Sequence, residues 1–232
     1  MRTYQCFNGS GVSVLVTDGD LDAAAGNDDP LSAELADAAA QARRVDLTAH
    51  LRRSLEGDNR ARKLAAAKAF LALQDHGAGG LLEYLAPEED DVVVAKSYIA
   101  VATRLRGPQA ALDMFCAADT DPQLARLLVS NYNSHLQPES GDIIFLITAL
   151  QHYRDKRLPW LKNLRADLWD NGVYIMLVAL AGETAIRLLR EPAHEAERSA
   201  LLRLLPDVIE QTTDDDIVEE AQTLRAELLE TD

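Results

Sequence analysis

From residue 31 onward the apolar positions of this chain recur at helical spacing behind an aspartate. The phrase runs Asp58, Ala61, Ala65, Ala69, Leu73, then Asp91, Val94, Tyr98, Ala102, Leu105, with a degenerate copy from Asp121. A last copy is Asp215, Val218, Ala221, Leu224, Leu228. One apolar stripe per helix is the mark of amphipathic helices packing on neighbours. The first three starts are 33 and 30 residues apart, the length of a helix pair with its turns and the period range of a helical repeat. The pattern predicts helices over 31–43, 46–56, 58–75, 79–86, 91–106, 108–117, 121–134, 141–154, 158–168, 171–189, 193–212 and 214–230. Their breaks carry Gly, Pro, Asn and Asp, as in HGAGG, APEEDD, RGPQ, DTDPQ, QPESGD, DNG and TTDDD. Segments 141–154 and 171–181 are apolar nearly all round, whereas 46–56 and 214–230 are amphipathic. Internal and capping helices of a stacked array differ in this way.

Residues 1–29 follow another rule. TYQCF and VSVLV are rich in β-formers and flank Asn8-Gly9-Ser10-Gly11, which predicts a short hairpin. The stretch TDGDLDAAAGNDDP reads as an acidic, solvated linker, after which Pro30 suits the first position of a helix with Asp29 as its cap. The expected organisation is a hairpin and acidic linker over 1–29 and an α-helical domain over 30–232.

The phrase DNRARKLAAAKAFLALQDHGAGGLLEYL and the terminal DDDIVEEAQTLRAEL resemble HEAT-type repeats of the short, bilin-lyase-like kind, over 58–130 and 183–230. The resemblance implies an all-α fold, a HEAT-like α-solenoid of antiparallel helix pairs with a small N-terminal β-hairpin appendage. A non-solenoid helical domain is the alternative, and 135–170 departs from the repeat. The family implies a curved surface for binding proteins, a minority of its members acting on bilins or on alkylated DNA.

Charge narrows the partners. The formal net charge is −15, from 38 acidic and 23 basic residues, which opposes a polyphosphate backbone and favours a cationic protein partner. An acidic surface that serves solubility is the plainer reading. Polarity is uneven. Residues 41–70 hold eight basic residues against three acidic, while 207–232 holds ten acidic residues and only Arg225. With aromatics at 5 %, the core is expected from Ala, Leu, Val and Ile. Cys6 and Cys116 fall in unrelated contexts, which predicts a reducing, cytoplasmic setting. MRTYQCFNGSG has no apolar signal-peptide core. The runs IIFLITAL and VYIMLVALA are about half the roughly 20 residues of a membrane span.

Candidate chemistry is sparse. Asp18, Asp20, Asp22 and Asp29 echo the ligand spacing of a calcium loop. However, Ala23 occupies the place of the turn glycine and Ala25 that of the apolar residue, so linker acidity is the reading adopted. His50, His76, His135, His152 and His194 lack partners at i+3 or i+4, which gives no zinc motif. No GxSxG, Walker loop or GxGxxG occurs. Trp160 and Trp169 stand near Asp167 and Asp170 with Lys156, Arg157, Lys162 and Arg165, the residue types of a base-stacking glycosylase site; packing is the simpler role. The polar interruption SNYNSHLQPESGD offers Asn131, Tyr132, Asn133 and His135 as a recognition loop. With it go Glu88, Glu89, Asp90 and Asp91 at an inter-helix turn, and Asp214, Asp215 and Asp216 at the acidic end.

The function expected is a non-catalytic protein-binding repeat protein with no cofactor or metal, an acidic inhibitor or immunity protein neutralising a basic toxin or enzyme. The alternatives are an assembly adaptor or scaffold, and a HEAT-like enzyme acting on nucleic-acid bases or bilins.

Overall fold

The computed structural model describes residues 1–117, 120–131 and 140–230. These are mostly helical, 74 %, with thirteen α-helices and one two-stranded antiparallel sheet at the N-terminus. The chain forms two compact units, Met1–Arg106 and Gly107–Asp232.

In the first unit, β1 (Thr3–Phe7) and β2 (Ser13–Thr17) pair from Thr3↔Thr17 to Phe7↔Ser13. The Asn8 carboxamide oxygen accepts the N–H groups of Ser10 and Val12 and holds the turn, and Gly11 takes φ 76°. Alternation turns Cys6 and Val16 inward, where they are buried, and leaves Phe7 and Leu15 outside.

The segment after the hairpin corrects the expectation of a linker, because Asp18–Ala25 is helix α1. Thr17 and Asp20 form a capping box, the Thr17 hydroxyl accepting from Asp20 N–H while the Asp20 carboxylate accepts from Thr17 N–H at 2.8 Å. Helix α2 (Ala33–Ala42) begins behind a Ser32 cap rather than at Pro30. Four more helices and a turn complete the row: a 3-10 turn Val45–Leu47, α3 (Thr48–Arg53), α4 (Arg60–Leu73), α5 (His76–Leu85) and α6 (Val92–Arg106). β1 lies on α2, α2 packs on α4 and α4 on α6, while α3 packs on α4 and α5 on α6. The core here is built largely from Leu and Ala, including Ala66, Ala67, Ala69 and Ala102, around Phe70 and Tyr98.

HGAGG, expected as a break, lies inside α5. Gly79 is there for contact: a Cβ on it would stand 2.8 Å from Cγ of Arg106, so its absence lets α5 approach α6 closely. Polar pins hold the layers. His50 Nδ1 meets the Asp29 carbonyl at 3.1 Å, Ser54 donates to the Leu31 carbonyl at 3.1 Å, and His76 Nδ1 meets the Leu105 carbonyl at 2.6 Å.

The second unit contains α7 (Pro108–Cys116), α8 (Pro122–Ser130), α9 (Ser140–Asp155), α10 (Ala166–Ala181), α11 (Glu183–Arg190), α12 (Glu195–Gln211) and α13 (Asp215–Leu229). Helix α9 packs against α7, α10 and α12, and α10 packs against α13. The helix expected over 158–168 is a single 3-10 turn, Leu161–Asn163, since Pro159 supplies no N–H and α10 starts afresh at Ala166. The helix expected over 171–189 is two helices, α10 and α11, bent by 67° where Gly182 adopts an extended backbone.

Aromatic rings organise this unit's core. Phe115 packs edge-on against Phe145 and Trp160 and stacks on Tyr153 at 6.4 Å. Two glycines make room: a Cβ on Gly172 would stand 2.5 Å from the Tyr153 ring, and one on Gly141 would stand 2.2 Å from the Pro108 ring. Among the described residues no single helix is long and apolar enough to cross a membrane.

Candidate functional site

The hairpin and the first two helices frame an open groove of ≈ 540 Å³ in the first unit. Val14 and Val16 of β2, Ala24 of α1, and Leu31 and Leu35 supply its apolar lining. Asp20, Asp29 and Glu34 supply its charge, with no Lys or Arg among the lining residues. Neither Asp29 nor Glu34 has an ion pair among the described residues, whereas the adjacent Asp22 and Asp28 are paired with Arg44 and Arg53. A second groove of ≈ 390 Å³, lined largely by alanines between α2 and α4, carries both Asp37 and Lys68 and has no such polarity.

Hydrogen bonds fix the walls of the acidic groove. The Asp18 carboxylate accepts from Arg2 N–H at 2.7 Å and from the Tyr4 hydroxyl at 2.8 Å, and these bonds hold it below the usual carboxylate range while the Tyr4 hydroxyl is pushed up. Asp20 is likewise held low by the Thr17 hydroxyl and N–H. The four aspartates of the calcium-like spacing are thus distributed among separate tasks. No group of three or more metal-ligating side chains gathers among the described residues. Behind the sheet, burial pushes the Cys6 thiol up to about 11, with help from the Asp37 and Glu34 carboxylates.

Several residues singled out for partner binding have internal tasks. Glu89 pairs with Lys63 at 2.6 Å, both side chains nearly covered. Asp91 caps α6 through the N–H groups of Val93 and Val94 and faces Arg60 at 3.3 Å. Glu88 and Asp90 are exposed. Asp214 caps α13, and Asp215 and Asp216 lie exposed in its first turn, where negative charge suits the helix N-terminus. Asn131 is buried at the end of α8. Tyr132, Asn133 and His135 lie outside the described residues. The recurring aspartate of the sequence pattern is a helix cap at Asp91 and Asp121, with Asn59 and Asp214, one residue off the expected starts, doing the same for α4 and α13.

Both tryptophans have packing roles in the second unit. Trp169 is buried and donates its Nε1–H to the Tyr153 carbonyl at 3.0 Å. Trp160 packs edge-on against Phe115 and Tyr153. One juxtaposition had no signal in the sequence: Cys116 Sγ lies 3.4 Å from His152 Nε2, across 36 residues of chain. Burial raises the thiol's pKa, with Asp113 adding to it, and burial together with Arg157 lowers that of the imidazole. Both groups are therefore held neutral, the opposite of an activated thiolate.

Compared with protein-family models, with curated proteins and with solved structures, the chain matches none.

Proposed function

We propose that this chain is a non-catalytic, HEAT-like binding protein that docks a partner with a basic surface, as an inhibitor or immunity protein would. The observation that carries the reading is the groove beside the hairpin, where Asp29 and Glu34, without an ion pair among the described residues, stand over an apolar lining that has no Lys or Arg. On a chain of net charge −15 this polarity accelerates encounter with a cationic protein and selects its orientation.

The repeat character is supported by the turns that end α2, α4 and α6. Arg43, Gln74 and Gly107 all take positive φ, at a spacing close to that of the sequence phrase. After α2 and α4 the next N–H closes back on the helix, Arg44 to the Ala39 carbonyl and Asp75 to the Phe70 carbonyl. Two free thiols, Cys6 and Cys116, suit a reducing compartment such as the cytoplasm.

The test is capture of a cationic protein on the immobilised chain and its release by moderate salt. Retention should be lost when Asp29 and Glu34 are both replaced by lysine and reduced less by Asp215→Lys. Retention indifferent to the groove variant, or nucleic acid as the retained species, would overturn the reading.

A further inference from the structure

We infer that β2 accepts an extended cationic segment of the partner as a third strand, an inference that rests on the docking reading and specifies its mode. The hairpin's hydrogen-bond phase sets which groups are free. Asn8 N–H donates to the Val12 carbonyl and Asp18 N–H to the Arg2 carbonyl, so with the observed register Tyr4↔Val16 and Cys6↔Val14 are the bonded pairs. The backbone groups of Ser13, Leu15 and Thr17 point away from β1. Thr17 N–H is taken by Asp20. Among the described residues nothing bonds the N–H and C=O groups of Ser13 and Leu15, which stay available to a further strand.

The two edges of the sheet are treated differently. On β1, the Gln5 carbonyl accepts from Gln41 Nε2 at 3.2 Å, and α2 lies alongside. On β2, the sequence SVLVT has no lysine, proline or bulge of the kind that protects open edges. Leu15 of this strand is 72 % exposed and Phe7 across the ladder is 60 % exposed. The groove described above runs along β2, with Val14, Leu15 and Val16 all lining it. An added strand satisfies the edge through main-chain bonds, and alternate side chains drop onto the apolar lining. Long cationic side chains lay their methylene stems on that lining and carry their charge to Asp29 and Glu34. A second copy of the chain would bring two acidic rims together at this edge, which charge opposes; a basic segment is complementary.

The experiment uses the full chain, isotopically labelled, titrated with the acetylated and amidated hexapeptide Lys-Val-Lys-Val-Lys-Val. Two controls are the same peptide with alternate backbone nitrogens methylated and the peptide Glu-Val-Glu-Val-Glu-Val. The expected result is saturable binding with amide shifts and slowed exchange at Ser13 and Leu15. Affinity should fall about tenfold or more on N-methylation, and by a similar factor with Asp29→Asn and Glu34→Gln together. Leu15→Pro should weaken binding, and unchanged Cys6 protection in that variant shows that the hairpin remains folded. Equal binding of the N-methylated peptide, equal binding of the glutamate peptide, shifts confined to other surfaces, concentration-dependent pairing of β2 with β2, or no saturable binding would each overturn strand addition. If the peptide fails while a cationic protein is still captured in a groove-dependent way, strand addition falls and docking stands. If capture fails as well, both fall.

Discussion

The two units solve the same packing problem with different materials. In the first, α2, α4 and α6 meet through alanines, and single polar bonds such as His50 to Asp29 and Ser54 to Leu31 fasten the connections. In the second, α7, α9 and the segment leading into α10 close around Phe115, Phe145, Tyr153 and Trp160, with Gly172 opened to receive a ring. Small side chains let backbones approach but cover little area each, and two grooves lie beside the hairpin. Rings fill volume and bury about 150–250 Å² apiece. On the docking reading proposed above, the alanine-rich unit carries the acidic groove, while the second unit packs around its rings.

The comparison breaks most readily at Phe115. Replacing this fully buried ring by alanine should cost about 3–5 kcal/mol in the second unit. Both tryptophans, Trp160 and Trp169, lie in that unit, so tryptophan fluorescence, excited where tyrosine does not absorb, follows its unfolding alone. The fluorescence midpoint should collapse while Cys6, buried in the first unit, stays protected from thiol reagents. Simultaneous exposure of Cys6 would show that the units unfold as one.

A smaller effect is expected from Thr17→Ala, which removes the capping box of α1 at a cost of about 1 kcal/mol. Cys6 labelling in a Cys116→Ser background should accelerate about fivefold with no change in the fluorescence midpoint. An unchanged labelling rate would mean that α1 does not support the hairpin.

Acid should separate the units by pH. His152 has a lowered folded pKa, so its neutral form contributes stability that is present above about pH 6.5 and is lost as pH falls toward the folded value. Asp18 and Asp20 are also lowered, and what their bonds contribute is present above about pH 4 and lost only below it. The fluorescence midpoint should therefore decline between about pH 7 and 5 while Cys6, probed with a dipyridyl disulfide that reacts in acid, remains protected until about pH 4. A His152→Gln variant that keeps the decline would assign it elsewhere.

Much of this was legible in the chain. Richness in β-formers on either side of the Asn8-Gly9-Ser10-Gly11 turn signal located both strands, and the aspartate before each apolar stripe proved to be, or to adjoin, a helix cap at Asp91, Asp121 and Asp214. The helix at Asp18–Ala25 was equally legible in the box Thr17-x-x-Asp20, but its acidity masked it as linker. The turn expected at HGAGG failed because glycine serves two ends, conformational freedom and close approach, and only the position of Arg106 decides for Gly79. The acidic groove left no motif, since Val16, Ala24, Leu31 and Glu34 come from separate elements.

The sequence by itself determined the helical body, the hairpin, the caps and the net negative charge, because each depends on neighbours within a few positions or on a plain sum of charges. Tertiary structure alone decided which carboxylates find an ion pair among the described residues. Glu89 and Asp91 were drawn into pairs with Lys63 and Arg60, while Asp29 and Glu34 were left facing an apolar groove. Tertiary structure likewise decided that Cys116 should meet His152 and that Gln41 should close the edge of β1 while that of β2 stayed open. Such outcomes hinge on distances of a few ångströms between residues far apart in the chain, and local periodicity carries no record of them.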